Sequence, residues 1–304
     1  MRDEGANPKQ TLSFLMRRFE EVGIRPHTKF GQNFLIDLNL LRVLFESAAV
    51  TRDDVVLEVG TGTGSLTALL AQHAAAVVTV EIDPQMFQLA SEELHGFDNV
   101  TMLHVDALKS KNRLNPAVME AVAGQLAAAP GRQLKMVANL PYNIATPILG
   151  NLLAEETPPR TMTATIQKEV AERITARPGS KDYAALSIWI QAQGRAEILR
   201  TLPPDAFWPR PKVSSAFIQI TLDDALRSRI SDRRFFHEFL RAIFCHRRKF
   251  LRSQLLSACQ GRLDKPAVDA LLGRLGLDGT LRAERLDVDA MLALSEAVRA
   301  AAGA

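Results

Sequence analysis

The four residues Asn139-Leu140-Pro141-Tyr142 follow a short apolar run and carry groups suited to handling a planar amine. The exocyclic amine of a nucleobase is a poor nucleophile, because its lone pair is delocalised into the ring, and hydrogen bonds to two oxygen acceptors correct this. Pro141 forces Leu140 into an extended conformation and has no N–H of its own, which helps leave the Leu140 carbonyl free beside the Asn139 amide. Tyr142 offers a ring for stacking. Amine chemistry on a base is one interpretation of the tetrad, and a simple X-Pro turn after a strand is the other.

A glycine-rich turn, Glu58–Gly64, lies well upstream of the tetrad. Glycine lets the backbone turn tightly and approach a ligand closely. Its spacing, Gly60-x-Gly62-x-Gly64, is shorter than the Gly-x-Gly-x-x-Gly of dinucleotide sites. The shorter spacing favours a cofactor without a pyrophosphate, such as S-adenosylmethionine. The alternative is a strand-to-helix turn that needs glycine for packing alone.

Two acidic residues lie at the ends of predicted strands downstream of this turn: Glu81 ends one strand and Asp106 follows the next. Glu81 stands at the position, about 20 residues on, where an acid can hold ribose hydroxyls. Asp106 can accept a hydrogen bond from an adenine amino group, although Asp after a strand is equally common as a turn residue.

The composition limits the classes of protein that need considering. The chain has 304 residues, 47% of them apolar, enough for one large core and a smaller satellite domain. Lys+Arg 37 against Asp+Glu 34 gives a net charge of +3, which by itself indicates no partner. Cys245 and Cys259 form no C-x-x-C pair and the six histidines show no metal-binding spacing, so we expect no metal. No apolar run approaches the ~18 residues of a membrane span and no signal peptide begins the chain, so we expect a cytoplasmic protein that does not bind membranes.

Apolar runs alternate with helical patterns through the first two thirds of the chain. The predicted strands of this region are Val55–Val59, Val77–Glu81, Val100–Val105 and Lys135–Ala138. The predicted helices between them are Ser65–His73, Pro84–Leu94 and Asn115–Ala127. This alternation predicts an α/β fold with a parallel sheet and helices on both faces.

The flanking segments complete the predicted fold. An amphipathic segment, Thr11–Val22, comes first, and Asp37 is the expected N-cap of a helix over Leu38–Ala48. After the tetrad we predict helices over Ala145–Leu153 and Lys168–Ile174 and strands over Thr161–Ile166, Ala196–Leu199 and Ala216–Leu222, with Ala184–Gln193 ambiguous. The pattern is wholly helical from Asp223 onward. We therefore expect an N-terminal extension over residues 1–28, an α/β domain over 29–222 and a helical domain over 223–304.

The chain resembles the small-subunit (16S) ribosomal RNA adenine N6,N6-dimethyltransferases from about Lys29 to Leu286. Besides the turn, the two acids and the tetrad, the resemblance rests on Lys29–Leu35, Gln167–Ala171, Phe207–Val213 and Phe244–Lys249. It implies a Rossmann-like S-adenosylmethionine-dependent methyltransferase sheet followed by a small C-terminal all-helical domain. The implied reaction is dimethylation of two adjacent adenosines near the 3′ end of small-subunit rRNA during ribosome biogenesis, with S-adenosylmethionine as the methyl donor.

The resemblance also implies roles for individual residues. The implied cofactor-binding residues are Gln32, Asn33, Leu35, Gly60, Gly62, Glu81, Asp106 and Asn139. The implied catalytic residues are Asn139, Leu140, Pro141, Tyr142 and Phe207, with Tyr142 and Phe207 on either side of the target adenine.

The chain departs from the family pattern at three places. An Ala-rich insertion lies around Val118–Ala129, and the segment before Lys29 is extended. Tyr183-Ala184 stands where Tyr-Gly is usual, which puts the local backbone conformation in question.

A run of basic residues in the helical region indicates that the substrate is large. It contains Arg233, Arg234, Arg241, Arg247, Arg248, Lys249 and Arg252. By itself such a run is most simply a solvated helix face, but together with Arg210 and Lys212 it favours an RNA phosphate track. The residues expected to bind RNA are Arg210, Lys212, Arg247, Arg248 and Lys249. The expected partner is small-subunit RNA or an immature 30S particle, bound by a monomer.

Three alternatives stay open from the sequence. A large-subunit rRNA adenine methyltransferase shares the tetrad, and the Phe207–Val213 and Phe244–Lys249 segments favour the small subunit by resemblance alone. A DNA adenine methyltransferase would normally have Asp/Asn-Pro-Pro instead of Asn-Leu-Pro. A ribosome-assembly or RNA-binding factor with secondary or lost catalysis belongs to another class, and Glu81, Asp106 and Asn139 argue against the loss.

Overall fold

The computed structural model describes Phe19, residues 31–259 and residues 261–303. The predicted segment Thr11–Val22, apart from Phe19, lies outside the described residues, as do the first two residues of the Lys29–Leu35 motif. Phe19 itself is buried, with its ring centroid 5.4 Å from that of Phe34 and 5.2 Å from that of Trp208.

Strands form where the sequence has short runs of β-branched and apolar residues. In chain order they are β1 (Phe34–Leu35), β2 (Asp54–Val59), β3 (Ala76–Glu81), β4 (Val100–His104), β5 (Leu108–Ser110), β6 (Arg113–Leu114), β7 (Gln133–Asn139), β8 (Thr161–Gln167), β9 (Gly194–Leu202), β10 (Phe207–Trp208) and β11 (Ser215–Leu222). Every residue of β2 and β3 is buried, as expected of central parallel strands. The predicted strands are confirmed to within a few residues at each end.

Seven of these strands form one sheet with the order β4-β3-β2-β7-β8-β11-β9. The pairs β3/β4, β2/β3, β2/β7 and β7/β8 are all parallel. Chain order reverses between β2 and β7, and open α/β sheets bind ligands in the crevice at the carboxyl ends of the strands beside such a reversal. Glu58, Glu81 and Asn139 lie at or next to the carboxyl ends of β2, β3 and β7.

The helices are α1 (Leu38–Ser47), α2 (Ser65–His73), α3 (Pro84–Leu94), α4 (Pro116–Ala127), α5 (Ala145–Leu152), α6 (Lys168–Ile174), α7 (Ala185–Gln191), α8 (Asp224–Arg227), α9 (Arg233–Ile243), α10 (Leu251–Ala258), α11 (Lys265–Arg274) and α12 (Val288–Ala302). The prediction of helices alone after Asp223 is confirmed for the described residues, and the mixed α/β fold with C-terminal helices is confirmed with it. Within the part of the chain that the structure describes, no helix combines the length and apolarity needed to span a bilayer.

Capping residues explain where several helices begin. The Asp37 carboxylate accepts from the backbone N–H of Asn39 at 2.8 Å, so the predicted N-cap of α1 is confirmed. The Ala-rich insertion forms α4, which begins at Pro116 after the N-cap Asn115 and is anchored by two buried valines, Val118 and Val122.

Two small strand pairs were not predicted. Strand β1 pairs antiparallel with β10, so that Leu35 lies opposite Phe207. Strands β5 and β6 form a short antiparallel hairpin. Strands of two or three residues are too short to show periodicity, so their pairing depends on tertiary packing that the sequence does not display.

The described chain divides into two compact units. One consists of residues up to Ala171 together with Ile198–Gln219, and the other of Glu172–Glu197 together with Ile220–Ala304. This division puts 172–197 with the C-terminal helices, whereas the domain limits from the sequence, 1–28, 29–222 and 223–304, stay a prediction.

In the second unit, Tyr183 is buried and Ala184 precedes α7 with φ −154° and ψ −179°. Any residue adopts this extended conformation, so alanine fits where the resemblance suggested glycine.

Gly194, the first residue of β9, supplies a test of packing within the second unit. A Cβ atom at this position would collide with the Thr221 carbonyl oxygen and lie 3.1 Å from the Thr221 carbonyl carbon. We expect Gly194→Ala to lower the free energy of unfolding by about 2–3 kcal/mol, because the backbone of a packed strand must shift. Urea unfolding measures the change.

Gly124→Ala is the matched control. Gly124 is exposed within α4 and nothing lies within 4 Å of its added Cβ. Alanine here should raise stability by up to about 1 kcal/mol through helix propensity. Equal effects of the two substitutions would contradict the collision at Gly194.

Candidate active site

A pocket lies at the carboxyl ends of β2, β3, β4 and β7. All of the predicted cofactor-binding residues line it: Gln32, Asn33, Leu35, Gly60, Gly62, Glu81, Asp106 and Asn139. Of the predicted catalytic residues, Leu140 and Pro141 line it with Asn139, whereas Tyr142 and Phe207 do not. The pocket thus brings together residues from five separate parts of the chain, four of which lie at strand ends of the parallel sheet.

The glycine turn forms one wall of this pocket. Gly60, Gly62 and Gly64 all have positive φ, at 87°, 55° and 82°. A Cβ at Gly60 would lie 3.2 Å from Pro141 Cδ, and one at Gly62 would lie 3.3 Å from the Phe34 ring. The first two glycines are therefore required both by backbone conformation and by close packing against other pocket residues.

Glu81 is held in a single orientation by backbone donors. Its Oε2 accepts from the N–H of Gly62 at 3.0 Å. Its Oε1 accepts from the N–H of Ile82 at 3.0 Å and of Asp83 at 2.9 Å. Burial raises the pKa of Glu81, and these hydrogen bonds oppose that rise. The carboxyl group is fixed, and Oε2, which accepts only one of these bonds, keeps capacity to accept a further hydrogen bond from a ligand hydroxyl.

Glu58 is the buried centre of a hydroxyl network beneath the turn. Its Oε2 accepts from the Thr67 hydroxyl at 2.6 Å and the Thr79 hydroxyl at 2.7 Å. The Thr79 hydroxyl also lies 2.7 Å from that of Thr61 in the glycine turn. Burial raises the pKa of Glu58 to about 8. At neutral pH Glu58 is therefore a neutral acid, and the network ties the turn to β2 and β3.

Asn139 presents an acceptor without a partner. Its Nδ2 donates to the Asn33 carbonyl at 2.8 Å. Its Oδ1 is buried and accepts no hydrogen bond from any described residue. Buried polar atoms are almost always hydrogen-bonded, so an unpaired acceptor in a pocket is suited to a donor carried by a ligand.

The rest of the tetrad is fixed by neighbouring strands. The Leu140 N–H donates to the Thr165 carbonyl at 3.2 Å. The Tyr142 hydroxyl is hydrogen-bonded to the Ser215 hydroxyl, and burial raises the pKa of Tyr142. Ser215 was not singled out in the sequence, since a lone serine at the start of a strand gives no signal of such a contact.

Phe207 is placed differently from the prediction. It is only 2% exposed and belongs to a core cluster that includes Leu35 and Phe217. Its ring therefore presents no free face on which a base could stack, and this geometry does not support that role. Phe207 instead backs the segment that contributes Leu35 to the pocket.

The segment 31–35 is held in place by contacts that sequence reasoning missed. Gln32 Nε2 donates to Asp83 Oδ2 at 2.9 Å. Asp83 is buried, and its Oδ1 caps α3 by accepting from the N–H of Gln85 at 2.9 Å. Gly31 has φ 65°, and a Cβ there would lie 3.1 Å from Asn143 Cγ. The dipeptide Asp83-Pro84 is typical of a helix start, so the N-cap could have been predicted from the sequence. The hydrogen bond from Gln32 to Asp83 could not.

Asp106 lies on the rim of the pocket. It is exposed, and its Oδ1 accepts from the Leu108 N–H at 2.8 Å. This bond makes it a turn residue, and its place in the pocket lining leaves a ligand contact open to it as well. The turn interpretation of Asp106 is therefore confirmed, and its contact with a ligand stays a prediction.

The predicted RNA-binding cations differ in whether they form ion pairs within the protein. In the first unit, Arg210 and Lys212 are exposed. In the second unit, three cations of the run form ion pairs, which are Arg234–Glu238, Arg247–Glu284 and Arg252–Asp269. Arg247 also donates to the carbonyls of Lys181 at 3.1 Å and Tyr183 at 2.9 Å. Arg248 and Lys249 are exposed, so they have more freedom to meet phosphates than Arg247 has.

The fold and the pocket define the class. A parallel sheet with a ligand crevice at its point of reversal, a tight glycine turn, a fixed acid and a buried free acceptor are together typical of Rossmann-like enzymes that bind a nucleoside-bearing ligand. Comparison with known proteins identifies the family within this class.

The family model described as ribosomal RNA adenine dimethylase matches residues 23–298. The chain belongs to this family. It is 37% identical over 293 residues to the ribosomal RNA small subunit methyltransferase A of Lachnoclostridium phytofermentans, covering 96% of this chain and 97% of that protein. It is 36% identical to the protein of the same name from Geobacillus thermodenitrificans, with 98% of each chain covered. The resemblance inferred from the sequence is confirmed.

The fold is shared with a solved structure. A dimethyladenosine transferase from Plasmodium falciparum superposes with a TM-score of 0.67 and 23% sequence identity, covering 85% of this chain and 94% of that chain. This likeness shows the fold, whereas the relatives found by sequence are named methyltransferases.

The raised pKa of Glu58 predicts a dependence of stability on pH. In the unfolded chain this carboxyl loses its proton near pH 4.5, and in the fold near pH 8. Its stabilising contribution is therefore complete below pH 4.5 and is lost as the pH rises through 8, by at most about 1.4 kcal/mol per pH unit. Glu58→Gln stays neutral, so its free energy of unfolding should fall less over this window.

Urea unfolding of both proteins at pH 5, 7 and 8.5 measures the difference in slope. Other titrating groups are common to both proteins and cancel in that difference. Parallel pH profiles would mean that Glu58 is ionised in the folded protein.

Proposed function

We propose that this chain transfers methyl groups from S-adenosylmethionine to the N6 amines of two adjacent adenosines near the 3′ end of small-subunit ribosomal RNA. The observation that carries the proposal is the buried Asn139 Oδ1, which has no partner among the described residues. The N6 amine of adenine is a planar hydrogen-bond donor, and it would supply the hydrogen bond that this oxygen does not receive within the protein. The names of the curated relatives support the small subunit as substrate.

The pocket residues fit S-adenosylmethionine. Glu81 is the proposed acceptor for the ribose hydroxyls, and Asp106 for the adenine amino group. The close approach at Gly60 and Gly62 leaves no space for a larger side chain, and Gln32, Asn33 and Leu35 complete the lining. When bound, this cofactor supplies a methyl group activated on a sulfonium.

In the proposed mechanism the protein positions the amine instead of deprotonating it. Asn139 Oδ1 and the Leu140 carbonyl accept hydrogen bonds from the amine and align its lone pair. Positive charge develops on the nitrogen during the reaction, so both oxygens bind the transition state more tightly than the ground state, an effect worth about 3–4 kcal/mol in comparable cases. The surplus proton then passes to water.

Tyr142 is the proposed stacking partner of the target adenine, which must leave its own stack to reach the pocket. Its hydroxyl is tied to Ser215, so the ring is held in place before the base arrives. Base–aromatic stacking contributes about 1–3 kcal/mol. Pro141, packed on Gly60, fixes the backbone between Tyr142 and the amine-binding oxygens.

Arg210, Lys212, Arg248 and Lys249 are the proposed phosphate contacts, and Arg247 is proposed to support the turn that carries two of them. The proposed substrate is the small-subunit RNA or an immature 30S particle in the cytoplasm. The proposed acting form is a monomer.

Transfer to defined substrates tests the proposal. The protein is incubated with labelled S-adenosylmethionine and unmethylated small subunits, with large subunits and duplex DNA in parallel, and the modified bases are mapped by mass spectrometry. Dimethyladenosine confined to the 3′ region of small-subunit rRNA is expected. Label in large subunits or in DNA would favour the corresponding rival methyltransferase, and cofactor binding without any transfer would favour an assembly factor.

Asn139→Ala tests the proposed acceptor. We expect kcat to fall about 10²- to 10³-fold, as it does when a preorganised transition-state hydrogen bond is removed, while cofactor binding is retained with reduced affinity. Single-turnover methylation and calorimetric titration with S-adenosylmethionine measure the two effects.

Asn99→Ala is the control for lost amide packing. Asn99 Nδ2 donates to the backbone carbonyl of Ala71 at 2.8 Å, a bond of the same kind as that of Asn139, and it does not line the pocket. It should lose some stability and keep its kcat. A wild-type kcat in Asn139→Ala would refute the assigned role.

A further inference from the structure

An exposed aromatic residue lies beside the free cations of the second unit. Phe250 is 57% exposed, the largest exposed fraction of any large apolar residue in the described chain. It directly follows Arg248 and Lys249, and every residue from 245 to 250 is exposed. Single exposed apolar residues need no explanation, but an aromatic ring among unpaired cations is the combination that binds single-stranded nucleic acid.

The turn that carries Phe250 is held rigidly from both sides. Before it, Arg247 is bonded to the carbonyls of Lys181 and Tyr183. After it, the Leu251 N–H donates to the Leu281 carbonyl at 2.6 Å. Phe250 therefore projects from a fixed backbone, and little backbone freedom has to be lost when a partner binds.

The charge around the ring determines what kind of partner fits. Arg248 and Lys249 are exposed and have no ion-pair partner in the described chain, whereas the next cation, Arg252, is neutralised by Asp269 at 2.5 Å. No acidic residue occurs between 239 and 263. An anionic partner with flat apolar surfaces satisfies both the ring and its two neighbours, and RNA with unpaired bases has that chemistry.

We propose that Phe250 stacks on an unpaired base of the ribosomal RNA while Arg248 and Lys249 contact the flanking phosphates. This inference rests on the proposed function and adds to it a base contact by the C-terminal helices, outside the pocket. Phe250 is a binding residue here and takes no part in methyl transfer.

The test compares four variants of the full chain. Binding to unmethylated small subunits and to protein-free small-subunit rRNA is measured over a range of salt concentrations. Phe250→Ala should weaken binding to both by about 5- to 150-fold, the range for loss of a stacked base, without changing the salt slope. Phe250→Trp should bind within a few-fold of wild type. Lys249→Gln should lower the slope of log affinity against log salt by about 0.7–0.9.

Leu199→Ala is the matched control, because Leu199 is an apolar side chain, 37% exposed, that lacks an aromatic face and takes no part in the hydrogen bonds that hold the turn. It should bind RNA as wild type does. Urea unfolding should give equal stabilities for wild type and Phe250→Ala, since the ring is largely exposed.

Two results would overturn the inference. One is wild-type affinity of Phe250→Ala for protein-free rRNA, and the other is a loss of affinity confined to intact subunits, which would place the ring on a ribosomal protein. The proposed function fails separately, if the wild-type protein methylates no small-subunit RNA.

Discussion

The hydrogen bond from Asn139 Nδ2 to the Asn33 carbonyl, 2.8 Å long, sets the chemical character of the pocket. An amide presents a donor on one side and an acceptor on the other, and with the donor engaged only the acceptor is left. Leaving a buried acceptor unpaired costs about 1–3 kcal/mol. A ligand that donates a hydrogen bond to Asn139 Oδ1 removes this cost. A neutral amide does not titrate between pH 5 and 9. The acceptor is therefore present at any pH at which the protein is folded.

That bond joins residues 106 positions apart, so it depends on both ends being held. The carboxyl end of β7 places Asn139, while the pairing of β1 with β10 and the Gln32–Asp83 bond place the segment around Asn33. Burial raises the pKa of both acids beside it, but their hydrogen-bond partners differ. Glu81 accepts from three backbone N–H groups, which oppose the rise. Glu58 accepts only from hydroxyls, and its pKa rises to about 8.

The sequence predicted those parts of the fold that depend on local pattern. The helices Ser65–His73 and Pro84–Leu94 have the predicted limits, because apolar periodicity coincides there with a glycine turn or with an Asp-Pro start. The residues at strand ends, such as Glu81 and Asn139, could be placed in one pocket because parallel strands end at one edge of a sheet. The role of Phe207 could not be predicted, since the sequence does not distinguish a phenylalanine of the core from one that stacks on a base. Only its packing against Leu35 shows that it belongs to the core.

The basic residues show the same limit of prediction from sequence, because ion pairs in the fold reduce the number of cations that are free to bind RNA. Seven basic residues are close in sequence between 233 and 252, yet three of them pair with acids, and two of those acids, Asp269 and Glu284, lie outside the run. Only a cation free to exchange its counterion for a phosphate contributes to the salt dependence of binding, at about 0.7–0.9 per contact. Arg248, Lys249, Arg210 and Lys212 together would give a slope of only about 3–4. Attraction of this strength is modest, so selection of the target must depend on shape, stacking and the fit of one amine against Asn139.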